Sequence, residues 1–211
     1  GSRRGPAGTR NADAVVMAWY PGCEGGHAVA DILFGAEAPS GRLPQTFAKA
    51  TADMPAFNDY NMKGRTYRFA DKEPLYPFGF GLSFGQVSYD SISLDKAELC
   101  EKCSVTAKAV VTNRSAIALK EVVQCYVVPP QTWPDAPKSQ LVGFEKIDLA
   151  PGASATVTFT LPAASFMQYD AAGRKVLPKG SYGVVIGSCS PGKRGLELGA
   201  ASPVEAVVTV G

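Results

Sequence analysis

Asn58 to Gln86 reads NDYNMKGRTYRFADKEPLYPFGFGLSFGQ, and the division of the whole chain turns on it. Seven aromatic residues (Tyr60, Tyr67, Phe69, Tyr76, Phe78, Phe80 and Phe84) alternate there with glycines and prolines. Neither helical nor strand periodicity survives Glu73-Pro74 and Tyr76-Pro77, since each proline removes a backbone donor and restricts the residue before it. So many large rings on an irregular segment imply a loop packed against something, not one extended into solvent. The stretch is expected to be a strap that joins two unlike parts.

Upstream the pattern is α/β. Ala12 to Tyr20 (ADAVVMAWY) is a short apolar run stopped by Pro21-Gly22, as in a strand covered on both faces. Gly25 to Phe34 (GGHAVADILF) follows with Ala28, Ile32 and Leu33 at helical spacing and Gly35 to end it. PSGRLPQTF (Pro39 to Phe47) then holds a turn and a short strand. Downstream the pattern is alternation: VSYDSISL, SVTAKAVVTN, EVVQCYVV, QLVGFEKIDL, ATVTFTL, SYGVVIG and VEAVVTV are seven β-runs separated by turn residues. That spacing predicts a β-sandwich. The expected division is 1–57, 58–86 and 87–211, with no internal repeat or low-complexity segment.

The 211 residues carry a net charge of +2 spread along the chain, which gives no push toward nucleic acid or an anionic membrane. No apolar run reaches membrane-span length, and no signal segment opens the sequence. The opening GSRRGPAGTR reads as an edge of a longer sequence or as a loop.

Cys100 and Cys103 (CEKC) have the spacing of half a metal knuckle, but the remaining Cys23, Cys125, Cys189 and His27 form no second pair. No metal and no cofactor is therefore expected, and a Cys100–Cys103 disulfide is the stronger alternative. Cys125, inside VVQCYVV, reads as a small buried hydrophobe.

Taken together, these segments resemble glycoside hydrolase family 3, the β-glucosidases and β-xylosidases. AWYPGCEGGHAVADILFGAEAPSGRLPQTF resembles the end of that family's α/β-sandwich domain, departing from the usual text at Cys23 and Ala38, where Gln and Asn are usual. GRTYRF with EPLYPFGFGLSF resembles its connection to the last domain, and the β-runs resemble its fibronectin type III-like domain. The resemblance implies an incomplete α/β sandwich followed by an all-β, immunoglobulin-like sandwich. It implies a parent that cleaves terminal β-glucosides or β-xylosides by a retaining mechanism with two carboxylates. The nucleophilic Asp belongs to an N-terminal barrel domain, and the acid/base Glu lies upstream of the segment matching Trp19. Neither has a counterpart here, so no catalytic residue is assigned. The implied partners are that barrel domain and the parent's oligo- or polysaccharide, in a secreted or periplasmic setting, with a cytoplasmic one left open. A carbohydrate- or protein-binding sandwich and a plain spacer are the rival readings; Trp133 is the only Trp in the sandwich.

Four residues are candidates for sugar contact. Glu24 follows an apolar run where α/β proteins place ligands, or it simply favours a helix N-terminus. Trp19 and Tyr20 stack on a sugar ring or belong to the core. Arg65 reads a hydroxyl or, with Arg68, pairs with Asp59, Asp71 or Glu73. Gly81 to Gly85 spells G-x-S-x-G, but the lone His precedes it and β-structure follows it, contrary to a nucleophile elbow. Gly187 to Lys193 is a near-miss to a P-loop, where Pro191 and Gly195 are expected to forbid the helix and leave a hairpin-type loop. Asn113-Arg114-Ser115 fits a glycosylation acceptor.

Overall fold

A computed structural model describes residues 13–211. All seven expected β-runs form strands: β1 (Val87–Leu94), β2 (Ser104–Asn113), β3 (Leu119–Val128), β4 (Gln140–Leu149) and β5 (Ser154–Pro162) come first. After a hairpin of two-residue strands, β6 (Gln168–Tyr169) with β7 (Lys175–Val176), come β8 (Gly180–Gly187) and β9 (Val204–Val210). Antiparallel pairing builds one sheet in the order β1-β2-β5 and a second in the order β4-β3-β8-β9. The two sheets enclose one core. β2 supplies Val105, Ala107, Ala109 and Val111, β3 supplies Val123, Cys125 and Val127, and β8 supplies Tyr182, Val184 and Ile186. Alternation puts every second side chain inward, so a period-two pattern is what a sandwich requires.

β3 departs from simple alternation, because Gln124 and Tyr126 are buried as well as Val123, Cys125 and Val127. Their side of the strand is covered by the strap. Gln124 Nε2 donates to Gly79 O at 3.1 Å and to Ser188 O at 2.6 Å, and Tyr126 OH donates to Gln124 Oε1 at 2.6 Å. Gly79 has φ +77, and a Cβ there would lie 2.0 Å from Gln124 Oε1. Only glycine suits that crossing.

The strap is pinned on both sides by its backbone. Leu43 N donates to Phe80 O, Gly79 N to Leu43 O, and Phe47 N to Tyr76 O, at 2.8–2.9 Å. Phe47 and Tyr76 form an isolated antiparallel bridge, which is all that remains of the strand expected in PSGRLPQTF. Toward the sandwich, Ser190 N donates to Phe78 O at 2.9 Å and Lys138 N to Arg68 O at 2.7 Å. Of its rings, Phe80 is buried and Tyr76 and Phe78, expected to pack with it, are half-buried, whereas Tyr60 and Phe84 are exposed. The strap is not wholly irregular: one helical turn, the second helix in chain order (α2), spans Thr66–Phe69.

The first segment is where structure and expectation part. Asp13 to Tyr20 forms no strand, and its side chains are exposed. A strand of a parallel sheet needs neighbours on both sides, and no strand among the described residues lies beside it. The helix forms as expected: α1 spans Gly25–Leu33, and Gly35 at φ +78 ends it. Its apolar face is only partly covered among the described residues: Val29 and Ile32 are half-buried, and Leu33 and the following Phe34 are exposed.

Two further corrections lie in loops. A short helix, α3, does form at Lys193–Glu197, despite Pro191 and Gly195. Pro191 lies outside it, and Gly195 permits a close approach, since a Cβ there would meet Cys189 Sγ at 2.6 Å. Asn113, read as a glycosylation acceptor, is fully buried. Its amide donates to Ile117 O, Leu149 O and Ala150 O at 2.7–3.1 Å, while Oδ1 accepts from Ser115 N at 2.9 Å and Ser115 Oγ at 2.6 Å. That carboxamide holds the β2–β3 turn and presents nothing to a transferase. Ser83 of G-x-S-x-G sits in the strap with β1 after it. No helix among the described residues is long and apolar enough to cross a membrane.

Candidate functional site

The four candidates for sugar contact divide between two places. In the first described segment, Trp19 takes φ 51 and is half exposed, and Tyr20 is 99% exposed, so neither belongs to a core among the described residues. Glu24 stands at the N-cap of α1 but makes no side-chain cap; its Oε2 instead pairs with His27 Nδ1 at 2.8 Å on the exposed first turn. Arg65 is elsewhere, in the strap. Its Nη2 donates to Ala56 O at 3.0 Å and to Asp59 O, and its Nε to Asn61 O at 3.1 Å. The carboxylate partners expected for it are thus replaced by backbone carbonyls. A planar guanidinium meets several carbonyls of one loop at once, which a carboxylate pair would not demand.

Arg68 likewise pairs with no carboxylate. Its Nη2 donates to Gln140 Oε1 at 3.2 Å, and its guanidinium lies 5.4 Å from the Phe69 ring centre. Two of the acids named for these arginines serve lysines instead, Glu73 pairing with Lys49 and Lys193 and Asp71 with Lys138, while Asp59 Oδ1 accepts from Asn61 N at 3.0 Å.

The most buried charges were not singled out by the sequence reading. Arg42, from PSGRLP, sends Nη2 to Glu121 Oε2 at 2.6 Å, with the two side chains 8% and 3% exposed. Tyr89 OH donates to Glu121 Oε1 at 3.0 Å in the same buried place. Burial, and next the Glu121 charge, hold the Tyr89 phenol well above its ordinary pKa. The triad joins the segment before the strap to β1 and β3, so it is a joint between the two halves. A signal did exist, an acidic residue opening the apolar run of β3. Without knowing that Arg42 would be carried to it, that acid reads as a solvent-facing position.

The cysteines are sorted by the same packing. Cys100 and Cys103 form a disulfide, with Cα atoms 5.1 Å apart, in the β1–β2 connection. Cys125 is buried in the sandwich core as expected, and burial pushes its thiol up to about 12. Burial also lifts Cys189, to about 11. Cys23 is exposed. Among the described residues no group of three or more His, Cys, Asp or Glu gathers as a metal site.

Comparison with known proteins assigns both halves. The family model for the glycosyl hydrolase family 3 C-terminal domain matches residues 5–84, and that for the fibronectin type III-like domain matches residues 121–190. A xylan 1,4-beta-xylosidase of Xylanibacter ruminicola is 39% identical over 86% of this chain, which spans 21% of that relative. A periplasmic beta-glucosidase of Salmonella typhimurium is 34% identical over 84% of the chain, which spans 25% of it. Among solved structures, a GH3 beta-glucosidase of Bifidobacterium adolescentis superposes with a TM-score of 0.76 at 32% identity, covering 92% of this chain and 29% of that one.

Proposed function

Because this chain belongs to glycoside hydrolase family 3 and matches the C-terminal portion of its members, we propose that it is the non-catalytic supporting part of a β-glycosidase. The whole protein, on this reading, removes terminal β-glucosyl or β-xylosyl units with two carboxylates that lie outside the present sequence. The chain's own task is architectural. A finished sandwich, strapped and ion-paired to the preceding segment, holds α1 and its flanks in place for another body.

One observation carries this reading: the chain is packed at one end and unfinished at the other. Val105, Val123 and Val184 are fully buried, while Val16, Met17, Tyr20, Leu33 and Phe34 face water. Clustered apolar exposure of that kind marks an interface, and the barrel-bearing part of the parent is the partner assigned to it. Trp19, Tyr20 and Glu24 belong to this open end and are the residues assigned to the parent's sugar-facing side, whereas Arg65 is assigned to the scaffold. The divisions at 57/58 and 86/87 are retained as proposed boundaries. The Cys100–Cys103 disulfide supports a parent that works outside the cytoplasm, since such bridges persist in oxidising compartments.

The test has two arms. The chain alone is assayed on aryl β-glucoside and β-xyloside, and it is also grafted onto the Salmonella relative in place of the matching C-terminal part. No turnover is expected from the chain alone and substantial turnover from the chimera. Activity of the isolated chain well above a heat-treated control, lost in Glu24→Gln, would overturn the proposal, as would a folded but inactive chimera.

A further inference from the structure

A cleft of about 410 Å³ opens where the strap crosses the segment before it, lined by Gln45, Thr46, Met62, Tyr67, Arg68 and Phe78. Clefts that hold small ligands run from roughly 300 to 1,000 Å³, so its size suits a short saccharide. Its aromatic wall is fixed in place. Tyr67 and Phe78 stack with centroids 4.5 Å apart, Tyr67 meets Tyr126 edge-on at 6.0 Å, and the Tyr67 hydroxyl accepts from Leu141 N at 3.0 Å.

Two polar atoms of the lining are at odds with that order. Thr46 Oγ1 and Arg68 Nε are buried yet have no hydrogen-bond partner among the described residues. Folded proteins pair the large majority of such atoms. Thr66, beside them in the lining, takes φ 54. A β-branched residue in the left-handed region is a conformational outlier of the kind that gathers at ligand clamps.

We infer that this cleft binds a short neutral saccharide, of pentose or hexose units, at a site separate from the open end that carries Trp19 and Tyr20. A sugar ring has an apolar C–H face suited to the Tyr67 and Phe78 wall and to Met62. Its hydroxyls accept from the guanidinium, and both donate to and accept from the Thr46 hydroxyl and the Gln45 amide. Arg68 Nε is left to donate to a hydroxyl, while Nη2 is already engaged by Gln140. The choice of glucose and xylose units as probes rests on the proposed function; the existence of the site rests on the cleft.

The test is titration of the 211-residue chain with cellobiose and xylobiose, followed by NMR and calorimetry. Saturable binding of at least one disaccharide is expected, with shifts in the Tyr67 ring and Arg68 Nε signals. Thr46→Val, which keeps the shape and removes the hydroxyl, and Gln45→Ala, on the exposed rim, should each weaken binding by about fivefold or more. Thermal unfolding confirms that each variant is folded. No saturation at the solubility limit of either sugar, or affinity unchanged in both variants, overturns the inference. An active chimera with a chain that binds no sugar sinks this site alone and leaves the proposed function standing.

Discussion

Replacing Arg42 by Met should be the most damaging conservative change in the segment before the strap. Arg42 and Glu121 are 8% and 3% exposed, and Arg42 Nη2 lies 2.6 Å from Glu121 Oε2. Met keeps much of the volume of the Arg stem and removes the charge. Glu121 is then left in place with Tyr89 OH as its remaining side-chain donor. Removing one member of a buried pair costs about 3–5 kcal/mol, because the other charge stays desolvated without compensation. Against a domain stability of about 5–15 kcal/mol this is a large fraction. At about 2–4 °C per kcal/mol for a chain of this size, the melting temperature should fall by about 6–20 °C. Calorimetry and urea unfolding of Arg42→Met, Glu121→Gln and the double variant give the comparison. The double variant should recover to within about 1 kcal/mol of wild type, since a neutral amide in that place no longer needs the guanidinium. A loss under about 1 kcal/mol in Arg42→Met, or a double variant no better than the single, would refute the reasoning.

Three further outcomes follow from single residues. Asp90 is held down at about 2, chiefly by the Thr112 hydroxyl and then by Ser88 and Arg114. A depressed carboxylate stabilises the fold above its unfolded pKa near 4, and that stability fades as pH falls through the folded value. The gap in melting temperature between wild type and Asp90→Asn should therefore close between about pH 4 and 2; a gap that stays constant refutes the assignment. Of the free thiols only Cys23 is exposed, and burial raises Cys125 and Cys189, so a thiol reagent at pH 8 should label Cys23 alone until denaturant is added. Rapid labelling of Cys189 in the folded chain would contradict its packing against Gly195. Expression in a eukaryotic secretory host should add no glycan at Asn113, and Asn113→Ala should cost on the order of 2–3 kcal/mol by stripping three carbonyls of their donor; a mass shift removed by an endoglycosidase would show the side chain free.

The sandwich was legible because its information is local. Each of the seven runs states by alternation which side chains face inward, and that period survives wherever the strand is placed. CEKC is equally local, since three residues of separation bring two sulfurs within bonding reach. The aromatic strap was recognisable from composition alone, and its glycines and prolines ruled out regular structure over most of its length. What the tertiary structure alone decided depends on residues far apart in sequence. Arg42 and Glu121 are 79 residues apart, and only the crossing of the strap brings a guanidinium to an acid that alternation places no differently from a surface one. The run ending at Tyr20 has the composition of a buried strand, yet composition cannot supply the neighbouring strands that would bury it. Asn113 carries a glycosylation triplet, and only the folding of Ile117, Leu149 and Ala150 around its amide removes it from solvent. Periodicity fixes which face a residue presents; the partner that meets that face comes from elsewhere in the chain, or from outside it.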